Sequence, residues 1–197
     1  MEQRLQKVLA AAGEEVAGRA MGNVAPALLG GVCVATMRDG RATAVRFDPP
    51  TGLRALVLVP SIRIPTSRAR AVLPERYPFD DAVAAVGDTA LLLAALTTGR
   101  HELIGEAGRD RLHQPYRARL MPWMDRVFAL CRSRGALGAM LSGSGSTMLA
   151  LFRTSDINPR TAAGICTSVQ KIVQSSAPGT TVSCRVLSFA SKGAIVA

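Results

Sequence analysis

The sequence predicts an α+β fold in which an antiparallel sheet carries helices on one face. Three observations lead there. Of the 197 residues, 48% are hydrophobic and 19% charged, the balance of a globular chain rather than a disordered one. From residue 53 onward the apolar patterns run strand, helices, strand-loop-strand, helix, strand. Within that order, Gly135–Phe152 is an apolar run that stops at Ser142-Gly-Ser-Gly-Ser-Thr147 and resumes at once. Residues 49–197 account for the sandwich. Residues 1–48 offer two helices and a hairpin that do not close as a unit and must lean on something else. No internal repeat or low-complexity linker interrupts either part.

Taken in order, residues 2–18 read as an amphipathic helix with Leu5, Val8, Leu9, Ala12 and Val16 on one face, broken between Gly18 and Gly22. Asn23 is placed to cap a short second helix, Val24–Leu29, with Pro26 in its first turn and Gly30-Gly31 ending it. A hairpin follows: strand Val32–Met37, turn Arg38-Asp-Gly-Arg41, strand Thr43–Phe47. Leu53–Val59 is apolar enough to be a strand buried on both faces. Thr66 caps a helix that Pro74 stops. Asp80-Asp81 opens the longest helix, with Val83, Val86, Ala90, Leu93 and Leu96 as its inner face and Gly99 at its end. Residues 101–121 read as short helical turns. Pro122 starts a helix that turns Trp123, Val127, Leu130 and Cys131 inward and ends at Gly135. Asn158-Pro159 opens another with the stripe Ala162, Ile165, Cys166, Val169, Ile172 and Val173. In 181–187, Val182, Cys184 and Val186 share one face, and Ala194–Val196 offer a last strand.

Composition narrows the function. Cys33, Cys131, Cys166 and Cys184 are widely spaced among apolar residues with no C-x-x-C pair, so buried free thiols are expected and a metal site is not. With His101 and His113 as the only histidines, no zinc pattern can be assembled. Net charge is +10, which suits an anionic partner: nucleic acid or a phosphate-bearing substrate. The arginines are scattered, however, and two Tyr and one Trp supply too few stacking platforms for a single-strand binder. No window is long and apolar enough to span a bilayer, and Met1-Glu-Gln-Arg-Leu-Gln-Lys7 lacks a signal-peptide core, so a cytoplasmic location is expected.

The stretch Ser142–Thr147 has two readings on its own. Two glycines two residues apart allow a tight turn whose N–H groups face one point, as in anion-binding loops; they equally suit a plain hairpin of small residues.

Four segments in order resemble a known family. They are Asn23-Val-Ala-Pro-Ala-Leu-Leu-Gly-Gly31, Thr66-Ser-Arg-Ala-Arg-Ala-Val-Leu-Pro74, Asp110-Arg-Leu-His-Gln-Pro-Tyr-Arg117 and Gly135–Phe152. Together they resemble homoserine kinase, of the GHMP small-molecule kinases, over about residues 20 to 152. The resemblance implies a GHMP-kinase C-terminal-type sandwich preceded by a remnant of the N-terminal kinase domain in residues 1–48. It implies transfer of the γ-phosphoryl group of ATP, with Mg, to the side-chain hydroxyl of homoserine. Carried over by position, Arg70 and Arg117 resemble contacts to the substrate carboxylate, for which the guanidinium fork is well shaped. Asn23 resembles the asparagine closing the family's Glu-Gly-His-Pro-Asp-Asn segment, and is equally readable as a helix cap. Ser142, Gly143, Ser144 and Gly145 resemble the glycine-rich motif beside the ATP phosphates. His113 reads as structural rather than as a base.

The chain also departs from that pattern. No segment resembles the family's Pro-x-x-x-Gly-Leu-Gly-Ser-Ser-Ala phosphate loop, and Glu14 and Glu15 cannot be assigned as its magnesium ligand by any motif. Glu-Gly-His-Pro-Asp is replaced by Gly18-Arg-Ala-Met-Gly22, and Ser146 stands where proline is usual. Without the phosphate loop, activity of the chain alone is expected to be impaired. The alternative is a non-catalytic amino-acid-binding or dimerisation module, with a homodimer as the possible assembly.

Overall fold

The computed structural model describes residues 14–39 and 41–194, and the side chains from residue 21 onward. The chain divides into two compact units, residues 14–51 with 189–194 and residues 52–188. The cut falls after residue 51, where the sequence reading put the boundary after residue 48, and residues 189–194 belong with the first unit.

In the first unit, α1 (Glu14–Leu29) is followed by an antiparallel hairpin of β1 (Val32–Arg38) and β2 (Arg41–Phe47). Arg38 pairs with Arg41, and Asp39 adopts φ 50°, as a two-residue hairpin turn requires. The predicted break between Gly18 and Gly22 is absent: α1 runs through both glycines and through Pro26. Met21 and Ala25 are buried, and with Val24 and Leu28 they pack against Cys33, Ala35, Met37, Ala42 and Ala44 of the hairpin. That tertiary stripe overrides the local cost of glycine and proline. Asn23 therefore lies inside a helix and caps nothing. The expected helix over residues 2–13 lies outside the described residues. Gly30 ends α1 in the left-handed region (φ 67°), its N–H donating to Pro26 O. Ala194 N–H donates to Ala27 O rather than to a strand, and residues 195–196 lie outside the described residues.

The second unit is built on a four-stranded antiparallel sheet in the order β4-β5-β3-β6, with β3 Leu53–Pro60, β4 Gly138–Leu141, β5 Met148–Arg153 and β6 Val182–Leu187. One face carries the core. Leu56, Leu58, Met148, Ala150 and Phe152 pack there against Trp123, Val127 and Cys131 of the helix Met124–Ser133 region and against Ile165, Val169 and Val173 of the helix Pro159–Ser176. Asn158 caps that second helix, accepting the Thr161 N–H at 2.9 Å, as expected from Asn-Pro. The opposite face is covered near β4, where Ile104 sits against Gly138. β3 is thus buried on both faces only in part: Leu53 and Ala55 are buried, whereas Arg54 and Val59 are exposed.

Between β3 and β4 lie α2 (Thr66–Ala71), α3 (Phe79–Thr98), a 3-10 turn His101–Leu103, α4 (Ile104–Ala107), α5 (Gln114–Arg117), a 3-10 turn Ala118–Leu120 and α6 (Met124–Ser133); α7 is Pro159–Ser176. Two expectations fail here. Pro65, not Thr66, is the N-cap of α2, and no side chain caps it. On α3 Leu93 and Leu96 are half-buried as expected, beside Ala84, Ala85, Asp88, Leu91, Leu92 and the buried Ala95, but Ala90 is exposed and Val83 and Val86 are 54% and 74% exposed. Arg111 reaches Asp81 (3.6 Å) and Asp88 (4.0 Å), which turns the acids inward and the valines out. The thiols are also not all free. Cys166 on α7 faces Cys184 on β6 with Cα atoms 6.0 Å apart and the two form a disulfide, whereas Cys33 and Cys131 stay reduced. Packing of α7 across β6 creates that proximity, which linear spacing does not reveal. No described helix is long and apolar enough to cross a membrane.

Candidate functional site

The β4–β5 connection is the six-residue loop Ser142–Thr147, closed by Leu141 pairing with Met148. Ser142 N–H donates to Thr147 O at 2.9 Å and Gly145 N–H to Ser142 O at 3.2 Å. Gly143 (φ 59°) and Gly145 (φ 86°) occupy the left-handed region, where a side chain is strained. A Cβ on Gly145 would also approach Met121 Cε to 3.0 Å. The N–H groups of Gly143 and Ser144 have no partner among the described residues. Ser146 is buried and its hydroxyl donates to Ile62 O at 2.6 Å, tying the loop to the β3–α2 connection.

A second set of ties comes from α5. Arg117 is 91% buried: its Nη1 donates to Gly143 O at 3.0 Å and its Nε to Ala69 O at 3.3 Å. Gln114 Oε1 accepts the Leu141 N–H at 2.6 Å, at the point where β4 runs into the loop. Asp110 organises the segment that starts α5. Its carboxylate accepts the N–H groups of Leu112 (2.8 Å), His113 (2.8 Å) and Gln114 (3.2 Å) and pairs with His113 Nδ1 at 3.3 Å. Burial alone would raise the Asp110 carboxyl; the hydrogen bonds from His113 and Leu112 outweigh it and hold the group below its ordinary range. His113 is thereby a partner of Asp110.

Arg117 and the loop residue Gly143 are thus in direct contact, and Arg117 also holds the carbonyl next to Arg70. Arg70 is exposed near the end of α2 and its guanidinium has no partner among the described residues. Neither arginine is in an ion pair there, so both retain capacity for an anion. Ser142 and Gly143 are exposed, Ser144 half-buried. Asn23 belongs to the first unit, exposed in the interior of α1. Sequence reasoning passed over Gln114, Asp110 and Ser146. For Asp110 a signal existed, an Asp shortly before a helix that opens with Gln114-Pro115; for Gln114 and Ser146 the signal is tertiary.

Chemically, two free N–H groups beside a buried cation fit a phosphate or carboxylate oxygen. No group of three His, Cys, Asp or Glu that could hold a metal ion occurs among the described residues.

Residues 92–170 match the family described as GHMP kinases C terminal. The chain is 48% identical over 127 residues to a homoserine kinase of Deinococcus radiodurans, a match covering 64% of this chain and 41% of that protein. It is 46% identical over 132 residues to a homoserine kinase of Moorella thermoacetica, covering 66% and 44%. The solved structure of homoserine kinase from Cytophaga hutchinsonii superposes with a TM-score of 0.80 at 29% identity, over 96% of this chain and 59% of that one. Mevalonate kinase from L. major, at 14% identity and a TM-score of 0.54 over 84% of this chain and 50% of that one, shares the fold alone. The chain spans less than half the length of the curated relatives it matches. Its C-terminal part carries the GHMP kinase C-terminal fold, an antiparallel sheet with helices.

Proposed function

We propose that the chain is the C-terminal part of a homoserine kinase-like phosphotransferase, whose reaction is ATP-dependent phosphorylation of the homoserine side-chain hydroxyl, a step toward threonine. The observation that carries this reading is Arg117. It joins the glycine-rich loop to the α2 carbonyl beside Arg70, in a chain 48% identical to a homoserine kinase over 127 residues. In this reading Arg70 and the remaining Arg117 donors take the substrate carboxylate. The N–H groups of Gly143 and Ser144 take a phosphoryl oxygen as charge builds on it. ATP supplies the phosphoryl group, with Mg carried on its phosphates. Residues 1–48 are the remnant of the N-terminal kinase domain, and the setting is the cytoplasm, where ATP is available.

The chain alone is impaired in this proposal, because transfer needs a phosphate loop to position ATP and none of its segments resembles one. Calorimetry together with a coupled ATPase assay tests both parts. Homoserine should bind the 197-residue chain saturably while turnover with Mg-ATP stays far below about 1 per second. Turnover in the ordinary enzyme range would refute the impairment, and absence of homoserine binding would refute the site.

A second reading has its own support. The loop and both arginines are kept while Glu-Gly-His-Pro-Asp has become Gly18-Arg-Ala-Met-Gly22. Phe79, Val83 and Val86 form an outward apolar stripe on α3. Those features suit a non-catalytic amino-acid-binding or dimerisation module. Homoserine binding without Mg-ATP binding, with a dimer in sedimentation, would favour it.

A further inference from the structure

Among the described residues β6 is an edge strand, bonded to β3 on one side only. Its register fixes which backbone groups face outward. Ser61 N–H donates to Thr181 O (2.8 Å), and Thr181 N–H donates to Ser61 Oγ (3.0 Å), so the odd-numbered residues turn toward β3 and the even-numbered ones away. On the outward side, Gln170 of α7 donates from Nε2 to Thr180 O (2.8 Å) and accepts the Val182 N–H at Oε1 (2.7 Å). One side-chain amide thus makes the two bonds that a neighbouring strand would make at that point. Beyond it, the backbone N–H and C=O groups of Cys184 and Val186 have no hydrogen-bond partner among the described residues. β6 has neither proline nor bulge to blunt this edge.

Alongside runs a groove of about 690 Å³ between α7 and β6, walled by Ala162, Ala163, Cys166, Cys184 and Val186. Among the described residues Lys171 is its one charged lining residue, and no acid lines it. The Cys166–Cys184 disulfide fixes the two walls to each other, so little ordering remains to be done on binding. Arg185 projects, exposed, from the opposite face of the strand.

We propose that the free edge of β6 and this groove bind an extended peptide segment in which apolar residues alternate with acidic ones. The open backbone groups select a strand. The groove takes every second side chain. The residues between fall on the Arg185 face, where an acid directly opposite is the favoured cross-strand partner. A second copy of the chain fits less well. Antiparallel self-pairing centred on Arg185 would set two arginines opposite each other, between molecules of net charge +10. Centring on Cys184 would need the Val182 N–H, which Gln170 already occupies.

The test uses the full chain and a labelled, end-blocked peptide of alternating valine and glutamate, with a valine–lysine peptide as its counterpart. Fluorescence anisotropy should show saturable binding of the glutamate peptide that weakens as salt rises, and no comparable binding of the lysine peptide. Amide exchange should slow at Cys184 and Val186. Val186→Pro removes an outward N–H without touching the ladder to β3 and should abolish binding. Arg185→Glu should weaken the glutamate peptide by about two- to fivefold and strengthen the lysine peptide. If Val186→Pro alters the far-UV circular dichroism, Arg185→Glu decides. No saturable binding, equal binding by a folded Val186→Pro protein, or preference for the lysine peptide would overturn the proposal. Self-association that Val186→Pro abolishes would also overturn it, by assigning the edge to a second copy.

Discussion

Arg117→Met separates the two jobs assigned to Arg117. The substitution keeps the buried stem and deletes both hydrogen bonds of the guanidinium. Gly143 is an exposed residue and the bond to its carbonyl is only partly buried, so water replaces that 3.0 Å bond at a cost near the low end of about 0.5–1.5 kcal/mol. Ala69 is fully buried, and its carbonyl, held at 3.3 Å, would be left unsatisfied at about 1–3 kcal/mol. Against this stands relief from burying a cation that has no carboxylate partner among the described residues. The net expectation is a loss of about 2 kcal/mol, a melting temperature lower by about 4–8 °C. Arg70→Met serves as the contrast. Its guanidinium is exposed and unpartnered among the described residues, so its stability should change by less than about 0.5 kcal/mol. Both variants should lose about tenfold or more in homoserine affinity, since each removes a charged donor to the carboxylate. Thermal melts by circular dichroism and homoserine calorimetry on the three proteins decide. An unchanged melting temperature for Arg117→Met would show that the tie to Ala69 and Gly143 contributes nothing. Unchanged homoserine affinity in both variants would remove the arginines from the binding site.

Two further expectations concern titrating groups. The Asp110 carboxyl sits below its ordinary value of 3.8, so its contribution to stability is full above that value and fades as pH falls through the lower, folded one; urea melts at about pH 5 and about pH 3 should differ more in the natural chain than in Asp110→Asn. Burial pushes the Cys131 thiol up to about 11, and raises Cys33, which is only half-buried, so a thiol reagent at neutral pH should label Cys33 slowly and Cys131 only on unfolding. The unfolded, unreduced chain should then show two reactive thiols rather than four.

Much of the fold was legible because local chemistry and packing agree. Asn158 before Pro159, the Ala162–Val173 stripe, the Val182/Cys184/Val186 alternation and the turn at Asp39 each carry one signal that tertiary structure does not contradict. α1 and α3 failed for opposite reasons. In α1 the breakers were read correctly and outweighed by a hairpin packed against Met21 and Ala25. In α3 the valines looked like the core, but the neighbouring turns come close enough to select alanine, and Arg111 draws Asp81 and Asp88 inward. Hydrophobicity ranks faces; it does not rank the distance at which a neighbour approaches.

The site shows the same division at smaller scale. Arg70, Arg117 and Ser142–Gly145 were singled out by resemblance carried over by position, and of these Arg117 does meet Gly143. What holds them was hidden. Gln114 supplies an acceptor to Leu141 across 27 residues of chain, and Ser146 a donor to Ile62 across 84, distances over which no periodicity survives. Both supports bond the backbone rather than a side chain, so neither constrains the residue type at the far end, and no pairing of types betrays them. The loop's shape is therefore set by α5 and the β3–α2 connection as much as by its own glycines. A loop of the same six residues without those supports would keep its flexibility and lose the fixed direction of the Gly143 and Ser144 N–H groups, the property on which anion binding depends.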